Sequence, residues 1–248
     1  MAPKAKLARL GASPRVRAAL RPRKKKLPTP PRGARTRALL TVERLRDLYP
    51  AETELAHSDP FQLLIATILS AQTTDRSVNL ITPRLFELYP TAHDLAAADP
   101  ATVEEIIKPT GFFRAKTRSI IAASRKLVEL FGGEVPQRME DLVKLPGIGR
   151  KTANVILGVG FGVPGFAVDT HVTRLTNLLG LVSTRDPVKI EALVCRMVLP
   201  SEWTGLSLRL ILHGRRVCIA RRPKCEECVL NDFCPSSSTR SRRRPAKP

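Results

Sequence analysis

Lys151 stands directly behind the Gly-rich turn of "LPGIGRKTAN", Asp169 ends the apolar run that follows, and 18 positions separate the two. An amine and a carboxylate delivered to one centre can do nucleophilic chemistry. The unprotonated amine attacks an electrophilic carbon, while the carboxylate accepts protons and steadies positive charge. By type and spacing alone, the pair fits equally a surface lysine on a helical turn and an aspartate that only caps the next helix. A second constellation, "CIARRPKCEECVLNDFC", sets Cys218, Cys225, Cys228 and Cys234 apart by six, two and five intervening residues. Thiols this tightly spaced in a chain without an export signal argue for ligation rather than disulfides. One C-x2-C knuckle with wider flanking gaps is closer to iron–sulfur usage than to zinc, whose structural sites favour two short knuckles. Cys195 lies outside the array, on an apolar helical pattern, and is expected to be an inert buried thiol.

These groups must be held by helices. "PFQLLIATILSAQ", "DRSVNLITPRLFELYP", "AKTRSIIAASRKLVELFGG" and "DPVKIEALVCRMVLP" repeat apolar residues at three- and four-residue spacing, with Asp, Thr or Pro marking starts and Gly or Pro marking ends. Asp186 followed by Pro187 is such a start, the Asp oxygen accepting an orphan amide and the ring fitting the first turn. No stretch alternates as a half-buried strand does. The expectation is an all-α protein of many short helices. In "LPGIG", Gly147 and Gly149 form a tight link between two helices, and the second helix starts at once, leaving amide N–H groups that can seat a phosphate oxygen. Glycines that serve packing alone would give the same pattern.

Composition sets the partner class. The formal charge is +20, but residues 1–37 carry 13 Lys or Arg and residues 235–248 carry five, with no acid in either, so the chain between them is near +2. Both ends are expected to be disordered basic tails. In the near-neutral remainder, Arg221, Arg222 and Lys224, just behind Arg215 and Arg216, are the best local candidates for gripping phosphates. Neutralising an anionic cluster is the competing role for them. Aromatic residues are only 4%, too few for stacking platforms on single strands, so duplex contact must come from backbone and basic groups. No apolar run is long enough for a bilayer and none forms the core of a secretory signal. The expected location is the cytoplasm or nucleoid of a bacterium, with the Arg-rich N-terminus also compatible with an organelle transit peptide.

A hairpin "LPGIGRKTAN", then "VDTH", then four cysteines with this spacing, in this order, resembles the endonuclease III family of DNA glycosylases across residues 38–234. The resemblance implies a two-lobed helix–hairpin–helix fold with the DNA groove between the lobes. A six-helix lobe over residues 58–171 would hold the hairpin, and a discontinuous lobe over 38–57 and 172–234 would hold a [4Fe-4S] cluster. It implies that Lys151 is the nucleophile, Asp169 the catalytic carboxylate, the four cysteines the cluster ligands, and Gly147, Gly149 and Arg150 contacts to DNA. Gln72 of "SAQTTD" matches the residue that fills the gap left by an extruded nucleotide. Phe112 of "TGFFRAK" stands where the family often carries an aliphatic wedge.

The implied activity is excision of oxidised pyrimidines from duplex DNA and cleavage of the abasic strand, by a monomer. A flipped base leaves a hole that a polar Gln72 and an apolar Phe112 can plug. Two other readings compete. An adenine-specific mismatch glycosylase shares the hairpin, the aspartate and the cluster, but usually lacks lysine at the position of Lys151 and carries a further C-terminal domain. A non-catalytic DNA-binding module would need neither Lys151 nor Asp169.

Overall fold

The computed structural model describes residues 27–239. The residues that form most of both expected tails, 1–26 and 240–248, lie outside that range. Among the described residues every regular element is helical.

Eleven α segments follow one another. They are α1 (Ala34–Arg46), α2 (Pro60–Leu69), α3 (Asp75–Leu88), α4 (Ala92–Ala96), α5 (Pro100–Ile107), α6 (Phe113–Phe131), α7 (Met139–Leu142), α8 (Arg150–Val155), α9 (Thr170–Leu178), α10 (Pro187–Val194) and α11 (Trp203–Arg216). Local chemistry explains their starts. Asp59 accepts from the Gln62 amide ahead of Pro60, Asp99 from the Thr102 amide ahead of Pro100, and Asp186 from the amides of Val188 and Lys189 around Pro187. Thr91 and Asp94 form a reciprocal capping box at α4.

The apolar residues gather into two cores. The first draws on Leu55 through Leu157, with Leu64, Leu69, Val103, Ile120 and Leu127 fully buried. The second joins the two ends of the chain: Ala38, Val42 and Leu45 of α1 pack with Leu175, Ile190, Leu206 and Leu210. The crossing between them falls in the extended segment after α8. Phe166 and Val168, expected with the hairpin lobe, pack in the second core, whereas Leu55, expected in the cluster lobe, packs in the first.

The tail boundaries also shift. α1 begins at Ala34, inside the stretch expected to be a basic tail, because Ala34, Ala38, Val42 and Leu45 make one buried stripe. Arg37 belongs to the fold as well, its guanidinium donating to the carbonyls of Leu179 (2.8 Å) and Gly180 (2.6 Å). At the other end, residues 235–239 are described, and Ser237 is buried.

Candidate functional site

The hairpin connects α7 to α8. Gly147 has φ of 80°, the left-handed region a side chain resists, and Ile148 behind it is buried. Gly149 differs: its φ is −94°, so it is not needed for conformation. Instead a Cβ there would meet nothing within 4 Å, which leaves open space before the start of α8, a helix with no side-chain cap on its first amides.

Lys151 follows in the first turn of α8, exposed, and none of the described residues bonds or pairs with its amine. It lines a cavity of about 120 Å³ together with Ser70, Asp75, Leu208, Leu212 and Arg215. Those neighbours come from both lobes. Two of the acids that line the cavity are already engaged, since Arg215 pairs with Glu54 (2.6 Å) and Asp75 (2.7 Å), and Arg216 with Glu54 (3.0 Å). Arg215 and Arg216, which stand in the sequence just ahead of the phosphate-gripping cluster, are therefore paired with acids of this chain, at the surface.

Asp169 is the N-cap of α9, accepting from the Val172 amide at 2.7 Å. It opens on a separate hollow, of about 680 Å³, lined also by Thr173, Asn177 and Arg185. What ties the two chemical residues is Asn154, one turn beyond Lys151. Its buried amide donates to the Phe166 carbonyl (3.2 Å), three residues before Asp169. The return chain passes so close that a Cβ on Gly165 would lie 2.7 Å from the Asn154 carbonyl, so only glycine fits. Between them α8 runs into one π turn (Ile156–Gly160). Asn154 was not singled out from the sequence, although a carboxamide inside an apolar helix is itself a signal.

Gln72 and Phe112 share a feature no sequence pattern shows. Among the described residues they are the only non-glycine positions with positive φ, 55° and 48°. Both are exposed, Phe112 at 69% of its surface. A strained backbone that presents an apolar ring to water persists only when its surroundings impose it, and such strain gathers at functional sites.

Arg150, expected to contact DNA, is exposed, and its guanidinium makes a bidentate bond to Glu191 of α10, both contacts 2.7 Å, so the fork joins the hairpin to the second lobe. That hydrogen bond raises the guanidinium's already high pKa. Arg221 and Arg222 are exposed and engage no carboxylate among the described residues, while Lys224 pairs with Glu227 at 3.5 Å.

The four cysteines are half-buried and border one cavity of about 160 Å³, with Arg174 and His213 also on its wall. The Leu230 amide points at Cys228 Sγ (3.4 Å), as amides do around thiolate sulfur. Among the described residues no three His, Cys, Asp or Glu side chains converge as tightly as a single ion requires. Four thiols around one cavity supply the donor set that an iron–sulfur cluster takes. Cys195 sits at the edge of the second core, where burial first and then the charge of Glu191 push its thiol up to about 12, in keeping with an inert role.

A helical hairpin seated over an interlobe cavity, with a thiol-lined site behind it, defines a helix–hairpin–helix base excision repair glycosylase. Residues 65–198 match the model of the HhH-GPD superfamily base excision DNA repair proteins, and residues 218–234, bounded by Cys218 and Cys234, match the iron–sulfur binding domain of endonuclease III. Endonuclease III of Synechocystis is 52% identical over 195 residues, covering 78% of this chain and 89% of that relative. Two solved structures, a non-covalent endonuclease III–DNA complex and a trapped endonuclease III–DNA covalent intermediate, align with TM-scores of 0.78 at 39% and 40% identity. They cover 84% of this chain and 99% and 98% of theirs. The chain belongs to the endonuclease III family, the glycosylase/AP lyases of base excision repair, and carries a [4Fe-4S] cluster.

Proposed function

We propose that this enzyme excises oxidised pyrimidines from duplex DNA, acting as a monomer at the bacterial nucleoid, with Lys151 as nucleophile and Asp169 as its carboxylate partner. The observation that carries the assignment is an amine free of any carboxylate, in the first turn of the hairpin helix, lining the cavity between the lobes.

The open start of α8 holds a backbone phosphate beside the lesion. Gln72 and Phe112, on their strained turns, fill the hole as the damaged nucleotide leaves the stack. The Lys151 amine then bonds to C1′ as the base departs with its bonding electrons. The sugar ring opens to an imine on Nζ, the neighbouring C2′ proton becomes acidic, and its loss expels the 3′ phosphate oxygen, cutting the strand. Asp169 accepts protons and offsets the positive charge that develops at the sugar, with one oxygen fixed by the Val172 amide. Cys218, Cys225, Cys228 and Cys234 would hold the cluster, and the loop between the first two of them would be pinned by that ligation. Arg221 and Arg222 on that loop then meet phosphates.

Borohydride trapping tests the nucleophile. Wild-type protein should cross-link to duplex carrying an oxidised pyrimidine, and Lys151→Ala should lose at least about a thousandfold in trapping rate, the scale of a lost catalytic nucleophile. Cross-linking by the variant at the wild-type rate would refute the assignment.

A further inference from the structure

Lys116 is a buried lysine that the chemistry above does not use. It is only 5% exposed, in the first turns of α6, where the helix dipole disfavours a cation. None of the described carboxylates pairs with it, and burial pulls its amine below the ordinary lysine range. A methionine would fill the same space without the cost of desolvating an amine.

Its bonds show what the amine does. Nζ donates to the carbonyl of Thr110 at 2.8 Å, and its backbone amide donates to the carbonyl of Phe112 at 3.1 Å. Thr110 is itself buried, its hydroxyl donating to the Ile107 carbonyl at 2.8 Å. Between the two anchored carbonyls lie Gly111, with φ of 68°, and Phe112, with φ of 48°. One residue therefore brackets a turn whose two inner positions both have positive φ, and that turn carries the exposed ring. Strain of this kind relaxes unless neighbouring bonds over-determine it.

We propose that Lys116 is the positioning residue of the Phe112 wedge: its amine holds the Thr110 carbonyl at the entry of the 110–112 turn while the first helical amides hold the exit, so that the ring enters the DNA stack already ordered. The proposal rests on the assignment of Phe112 as a wedge. It gives the buried amine a mechanical task, distinct from the covalent task of Lys151.

The test is a double-mutant cycle in the cluster-loaded full chain, with Lys116→Met, Phe112→Ala and both together. One readout is single-turnover excision of thymine glycol from duplex. The other is the fluorescence rise of 2-aminopurine placed opposite an abasic analogue, at saturating protein. If Lys116 acts through Phe112, Lys116→Met slows excision about tenfold and lowers the rise, yet adds nothing in the Phe112→Ala background. Lys116→Arg, which keeps a donor, should restore most of the rise. Equal losses from Lys116→Met in both backgrounds would overturn the proposal and leave Lys116 a general stabiliser. Wild-type excision and fluorescence in Phe112→Ala would instead remove the wedge assignment, and the proposal with it. Should Lys116→Met fail to fold, Lys116→Gln, whose shorter donor falls short of Thr110, takes its place in the cycle.

Discussion

The two lobes reach stability by different means. The hairpin lobe builds its core from one continuous stretch of chain, and that core is almost wholly aliphatic. The second lobe must bring α1 to α9 and α11 across the length of the chain, and side chains with several donors make those long connections. Arg37 reaches carbonyls 142 and 143 positions away, and Arg209 and His213 are buried beside α1. Beyond α11, the residues that carry all four thiols form only turns and irregular chain, with Leu230 as their fully buried apolar anchor. The first lobe closes within one continuous stretch of chain, whereas the second is completed by bonds between its distant ends and by the cluster.

Removing a cluster ligand is the strongest way to break that contrast. Cys225→Ser should lose the broad visible absorbance of iron, and amide protection over residues 218–234 should fall by at least about tenfold, while α2 through α6 keep theirs. Hydrogen exchange followed by mass spectrometry checks this. An equal loss of protection in both lobes would show that the hairpin lobe depends on the cluster as much as its neighbour does.

Asp169 lies where one lobe passes to the other, and two substitutions separate its tasks. Asparagine caps a helix about as well as aspartate, so Asp169→Asn should keep the melting temperature while excision and strand cleavage fall by about a hundredfold. Asp169→Ala should lose the same activity and also about 1 kcal/mol of stability. Full turnover in Asp169→Asn would reduce the carboxylate to a cap.

How much of this was legible in the sequence also differs between the lobes. Caps such as Asp186 with Pro187 are local chemistry, and each sits where its residues predict. The hairpin and the cysteine spacing are equally local, which is why the thiols that share one cavity could be listed before any fold was known. What escaped was long-range or conformational. Nothing in "RTRALL" tells that Arg37 will meet the end of α9, so the first turn of α1 was lost among tail arginines. The positive φ of Gln72 and Phe112 is imposed by surroundings that neither residue advertises. Charge pairing is hidden in the same way: Arg150, Arg215 and Arg216 look like DNA contacts until Glu191, Glu54 and Asp75 are found opposite them.

Arg150 supplies the subtlest test of the division of labour between lobes, because a strap and a phosphate contact predict different salt behaviour. A residue that neutralises a phosphate flattens the dependence of log affinity on log salt by about 0.9 when removed. Arg222→Gln, exposed on the cluster loop, should do so. Arg150→Gln should leave the slope unchanged and cost about 0.5–1 kcal/mol of stability, the scale of a partly exposed pair. Exchanging the charges in Arg150→Glu with Glu191→Arg should recover most of that loss, since the fork can form in either direction. The comparison is decided by filter or anisotropy titrations across a salt series, alongside thermal melts. A slope reduced by Arg150→Gln as much as by Arg222→Gln would mean that the guanidinium leaves Glu191 for DNA, and that the strap between the lobes opens when the enzyme binds.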